Sequence, residues 1–211
     1  MSDFGYIPSA PTQAGGSNAG VFNTSDVYNL ADEDKWTNTD GLVLIQYQSF
    51  TDVTEVFFTN IRESEFRVHM AVANRIQAIN SSHRFQARLS NDGGSSYIST
   101  NYDFSYEGNR DDGDSLSVRT TAGGDFGYIT NNQKLDHQAG AICYFYDLGN
   151  SAKFSKTTSE STWFDNSSNA SGFVFGIGVL HVAEVHNAIR FSQSGGMTGS
   201  IALYGLKENL F

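Results

Sequence analysis

The strongest constraint on this chain lies between Val185 and Leu206. Two apolar alternations, Ala188-Ile-Arg-Phe191 and Ile201-Ala-Leu-Tyr204, flank the segment Ser194-Gly-Gly-Met-Thr-Gly199. Alternation is the period of a strand with one buried face, and a glycine-rich break suits a hairpin turn. The spacing predicts a closing β-hairpin with Tyr204-Gly205-Leu206 as its last buried rung. A strand of this kind closes a sheet, so the rest of the chain must supply one.

It does so from Gly41 onward. Leu42-Val-Leu-Ile-Gln-Tyr47 is a continuous apolar run, expected as a strand covered on both faces. Phe66-Arg-Val-His-Met-Ala-Val-Ala73 alternates, which predicts Phe66, Val68 and Met70 inward and Arg67 and His69 in solvent. Arg84 to Ser90 alternates as well and runs into Asn91-Asp-Gly-Gly94, a strong turn signal. Tyr97 to Tyr106 then reads as the returning strand, and Glu107 to Ser115 as a polar loop. Phe126 to Thr130 is a weak strand and Ala139 to Tyr146 a strong one. Lys153 to Thr158 and Ser161 to Phe164 read as two short strands around a Ser/Thr turn. Phe173-Val-Phe-Gly-Ile-Gly-Val-Leu-His-Val182 is long and apolar. Gly176 and Gly178 share one side with Val174, Leu180 and Val182, so that side packs closely on a neighbour or bends.

Composition points the same way. The 211 residues include 21 Gly, 16 Phe and 10 Tyr but 2 Pro, a mixture suited to many strands joined by turns. The expected fold class is all-β: an antiparallel two-sheet β-sandwich over residues 41–211, jelly-roll-like, built from about ten or eleven strands. An N-terminal arm (1–23) and one short helix (24–36) precede it. Thr24 or Ser25 can cap that helix, with Val27, Leu30 and Ala31 on one face and Val21 and Phe22 stapling its start. Such a helix is too short to stand alone. Phe4, Tyr6, Val21, Phe22, Val27, Tyr28, Leu30 and Trp36 are therefore candidate docking residues for a partner.

The chemistry-bearing residues form no catalytic constellation. The net charge is −10, which repels phosphate and anionic membranes and disfavours nucleic acid as a partner. No apolar run is long enough for a membrane helix, no secretory signal opens the chain, and no cofactor motif occurs. Glu107, Asp111, Asp112 and Asp114 make an acidic loop of the density that can bind calcium, but their order is not that of an EF-hand. The histidines, His69, His83, His137, His181 and His186, lack ligand spacing, although His181 and His186 are close enough in sequence to share a metal. Cys143 sits in an apolar strand with no base nearby, which marks it as a core residue. Exposed loop aromatics would suit a carbohydrate-binding module, and Tyr97, Tyr106, Tyr128 and Trp163 are the candidates.

Three segments carry a family resemblance. Gly20-Val-Phe-Asn-Thr-Ser-Asp-Val-Tyr-Asn-Leu30, followed by Lys35-Trp36, resembles a short block found early in tail-fibre-like and other virion proteins of tailed bacteriophages. Arg88-Leu-Ser-Asn-Asp-Gly-Gly-Ser95 with Tyr102-Asp-Phe104 is similar to a stretch in the middle of that group. Ala188-Ile-Arg-Phe191 with Gly199-Ser-Ile-Ala-Leu-Tyr-Gly-Leu-Lys207 resembles the close of small phage-encoded β-sandwich proteins. The resemblance implies a non-enzymatic virion protein, a tail appendage or head decoration made in the bacterial cytoplasm. It implies a homotrimer that contacts other virion proteins through its N-terminal segment. A carbohydrate-binding adhesin that meets a host-surface glycan is the alternative, and a glycan-degrading enzyme a more distant one.

Overall fold

A computed structural model describes residues 13–14, 17–18, 41–80, 83–127 and 129–207. The expected helix over 24–36, nearly all of the arm, and Phe4, Tyr6, Val21, Phe22, Val27, Tyr28, Leu30 and Trp36 lie outside the described residues, as does Tyr128. The chain divides into two compact units, Met1–Gly41 and Leu42–Phe211. In the first, β1 (Gln13–Ala14) pairs antiparallel with β2 (Ser17–Asn18).

The second unit contains ten strands and, among its described residues, no helix. They are β3 (Leu42–Thr59), β4 (Val68–Ala78), β5 (His83–Ser90), β6 (Tyr102–Arg110) and β7 (Ser115–Gly123), then β8 (Thr130–Gln133), β9 (Gln138–Tyr146), β10 (Ser155–Phe164), β11 (Ser171–Leu180) and β12 (Ala188–Leu206). All pair antiparallel in one connected sheet of order β7-β6-β11-β10-β9-β4-β12-β5-β8, with β3 along the other side of β12. The all-β, antiparallel expectation is met. The hydrogen bonding runs through one sheet that curls.

The curl is made by β12. The expected hairpin is absent: residues 188–206 form a single strand, hydrogen-bonded on both sides. Its first part, Ala188 to Ser192, lies beside β5, and its second part, Met197 to Leu206, lies beside β4. β3 follows it throughout, with register shifts between Ser192 and Met197 and again before Gly199. Bulges bend a strand and raise its twist. Gly196, at φ 85°, adopts a backbone that other residues rarely reach. The glycine-rich segment therefore re-aims the strand instead of reversing it.

Aromatic rings fill the space inside the curl. Phe191 of β12 stacks on Phe85 of β5 at 5.4 Å and meets Phe58 and Phe145 edge-on at 5.9 and 6.1 Å. Phe126 joins them through Phe145 and reaches Tyr102 at 4.8 Å. The strands beneath the rings carry small residues. β10 turns Thr157, Ser159 and Ser161 inward, and β11 turns Gly176 and Gly178 inward. A Cβ on Gly178 would lie 2.7 Å from the Phe126 ring, and one on Gly176 would lie 3.1 Å from Tyr106. These positions stay small because the Phe126 ring at Gly178, and Ser159 with the Tyr106 Cβ at Gly176, occupy the space a side chain would need.

Several local expectations change for related reasons. β10 is one strand across the Ser/Thr segment, held by continuous pairing with β9 on one side and β11 on the other. His69 is fully buried, and the phase of β4 is opposite to the one expected. Backbone bonds from Glu65 and Phe66 to the Arg62 carbonyl make a turn there, so Phe66 lies outside the ladder. β4 begins at Val68, with His69, Ala71 and Ala73 inward. Phe66 lays its ring where Gly205 has no side chain. The stretch 97–101 is irregular, whereas 102–110 and 115–123 pair as β6 and β7.

Candidate functional site

The outward face of the sheet is where this molecule departs from an ordinary antiparallel layer. Such sheets commonly pack one face on a core and solvate the other with polar residues. Here both faces are apolar. β11 turns its glycines inward and Phe173, Phe175 and Ile177 outward, each about half exposed at 51%, 50% and 54%. The expectation that Leu42–Tyr47 is covered on both faces is also overturned. Among the described residues β3 pairs with β12 alone, and Leu42, Leu44 and Tyr47 stand in solvent on the outer face.

Register joins these residues into rows. One row runs Leu44, Tyr204, Met70, Tyr144, Thr158, Ile177 across β3, β12, β4, β9, β10 and β11. The next runs Tyr47, Ala202, Val72, Ile142, Glu160, Phe175. On the other side of the first row lie Leu42, Leu206, Val68, Tyr146, Lys156 and Val179. Six strands at ~4.8 Å and three rows at ~6.8 Å give a face of about 600 Å². Contiguous apolar patches above a few hundred Å² mark binding surfaces. The face ends at β6, which presents Asp103, Ser105, Glu107 and Asn109 on the same side.

Relief on this face comes from the same alternation. Phe173 and Phe175 form a ridge, and beside them Gly140, Thr162 and Val72 leave a groove of about 600 Å³. Lys156 and Glu160 are the two charged residues on the six strands of the three rows. Tyr146 and Thr158 share a hydroxyl hydrogen bond of 3.2 Å between them. The face can hold an apolar partner by burial and shape, with two charges to orient it.

The chemistry-bearing residues take structural positions. Ser155 Oγ lies 2.8 Å from His186 Nδ1, and His186 Nε2 lies 3.4 Å from a Glu184 carboxylate oxygen. This Ser-His-Glu series has the residue types of a hydrolytic triad. Ser155 and His186 are fully buried, however, so substrate has no route to the hydroxyl. Burial holds the His186 imidazole below its ordinary pKa, while the Glu184 charge opposes that shift. His69 is held low in the same way, and its Nε2 lies 2.9 Å from the Ile61 carbonyl. His181 instead meets Asp103 at 3.0 Å on the surface, so the structure does not bring His181 and His186 together on a metal. Cys143 is buried on β9, and burial pushes its thiol up to about 12.

The acidic loop is the β6–β7 connection. Arg110 spans it, bonding Asp112 at 3.2 Å and also Asp114. Asp111 accepts the Ser171 amide at 3.0 Å, so three carboxylates of the candidate calcium loop are already engaged. The carbohydrate candidates fare similarly. Trp163 is buried on β10 with its indole across Gly172, and Tyr106 is buried. Tyr97 is half-buried beneath Arg190, whose guanidinium lies 5.0 Å from the ring.

No family model matches the chain, and neither a curated protein nor a solved structure matches it. Function therefore has to be read from the face. One sequence signal could have located it. A strand that alternates Phe-x-Phe-x-Ile with Gly-x-Gly must put its large residues opposite its close-packed side.

Proposed function

We propose that this chain is a non-enzymatic structural subunit of a tailed-bacteriophage particle, a tail appendage or head decoration that works by binding. The observation that carries the binding role is the open row of Phe173, Phe175 and Ile177, continued by Ile142, Leu44 and Tyr47. Since these side chains are already about half buried, leaving the rest in water forgoes roughly 1 kcal/mol for each that could be fully buried. A face of this kind is satisfied by association. The virion assignment rests on the three sequence segments described above, and with it go other virion proteins as partners and the N-terminal segment as an attachment point. In this reading the curled sheet is a relative of the jelly-roll sandwich, its two layers continuous through β3 and β12.

Mass spectrometry of gradient-purified particles from a phage that encodes the chain tests the proposal. The expected result is a fixed copy number per particle, strongly reduced in a Phe175→Glu variant that folds normally. A chain found in the lysate but never on particles would reject the virion role.

A further inference from the structure

We infer that a second copy of this chain covers the outer face, packed sheet to sheet about a two-fold axis that reverses the strand direction. The inference deepens the association reading above by naming the partner. Three observations support it.

The first is the charge pattern. Lys156 and Glu160 lie on the same strand, one on each side of Thr158. An in-plane two-fold axis along the row through Thr158 keeps each strand over itself but exchanges the flanking rows. Each Lys156, whose ammonium also lies 3.6 Å from Asp147 of its own chain, then faces the other copy's Glu160. Opposed charges of this kind fix register and orientation at an interface. A three-fold axis parallel to the strands would instead keep every residue at its own level and gather three Glu160 side chains together.

The second is the match of the remaining rows. The same operation sets Phe175 against Val179, Ile142 against Tyr146, Val72 against Val68 and Tyr47 against Leu42, while Ile177, Tyr144, Met70 and Leu44 meet their own counterparts. Apolar faces apolar throughout, as a self-complementary surface requires. Asp103 and Glu107 come opposite each other on β6, at the solvent-open rim, where Asp103 is already bonded to His181.

The third is size. Two faces of about 600 Å² each reach the ~1,200 Å² at which specific interfaces begin. Aligned sheet packing at about −30° and ~10 Å accommodates this contact.

The test uses the full chain in sedimentation equilibrium, with near-ultraviolet circular dichroism to show that each variant is folded. The wild type is expected to be a dimer, and Phe175→Glu a folded monomer. Lys156→Glu and Glu160→Lys should each weaken the dimer at least tenfold, and the double variant should return to within about threefold of wild type. As a direct probe, a mixture of Lys156→Cys and Glu160→Cys chains should form the mixed disulfide faster than either variant alone forms its own. A monomeric or trimeric wild type, a double variant no tighter than the singles, or preferential like-with-like disulfides would overturn the proposal. A monomer that nevertheless needs Phe175 to enter particles would overturn the second copy while leaving the association reading intact.

Discussion

Phenylalanines stand on both sides of this sheet and do different work. Inside the curl, Phe58, Phe85, Phe145 and Phe191 are fully buried and meet ring to ring. On the outer face, Phe173 and Phe175 stay half in water above a trough of small residues. The strand beneath them explains the split. β11 has glycine at the two inner positions where Phe126, Ser159 and Tyr106 come closest, so between Val174 and Leu180 its bulk points outward. The contrast teaches that apolar content does not separate core from interface here; the position of the glycines does.

Four experiments sharpen or break that contrast. Phe191→Ala should have the largest effect, a loss of about 3–5 kcal/mol in urea unfolding, because it empties the junction of three other rings. A loss below about 1 kcal/mol would mean that the curl is not the stabilising core. Gly178→Ala should cost about 1–3 kcal/mol by overpacking, since its Cβ would lie 2.7 Å from Phe126. If melting is unchanged, the close approach of ring and strand is wrong.

The third experiment is a pH series. His69 and His186 are buried, with pKa values held below the ordinary 6.5 by desolvation. Below about pH 6.5 the unfolded chain takes up protons that the folded chain does not, so stability is full above that value and falls as pH drops. The slope should approach about 1.4 kcal/mol per pH unit for each histidine between its folded and unfolded pKa. A urea midpoint that is flat from pH 7.5 to 5.5 would contradict burial in the neutral form. The smallest effect is expected for Phe175→Ser, within about 0.5 kcal/mol of wild type for the isolated chain, in line with exposed positions elsewhere. A loss comparable to Phe191→Ala would move Phe175 into the core and dissolve the contrast.

Legibility in the sequence followed period more faithfully than punctuation. Alternation correctly announced an all-β antiparallel fold, and it placed β5, β9 and β11 well. Small residues misled. Ser194–Gly199 and the Ser/Thr segment around Ser159 have turn composition, yet both lie inside strands, because a bulge and a closely packed inner position favour the same small residues as a turn. The phase of β4 was hidden by Phe66, which belongs to a turn and fills the gap at Gly205 from 139 positions earlier in the chain. The buried Ser155–His186 contact was equally hidden, since it joins the start of β10 to the segment before β12. Of the outer face, the residues were visible but their exposure was not: exposure depends on strand order, which no local pattern carries.

The placement of β12 also governs how the molecule can come into being. This strand supplies the rungs between β3 and both β4 and β5, so the junction of the sheet is delivered after every other strand in it. Until residue 206 has emerged, β3 has no partner and β4 and β5 each lack one side. Contacts of such long sequence separation make folding slow, in the range of milliseconds to seconds, and chains truncated before β12 are left with open strand edges that invite aggregation. Closure of the sheet is thus conditional on β12: a chain cut short within that strand cannot close the sheet that would protect it.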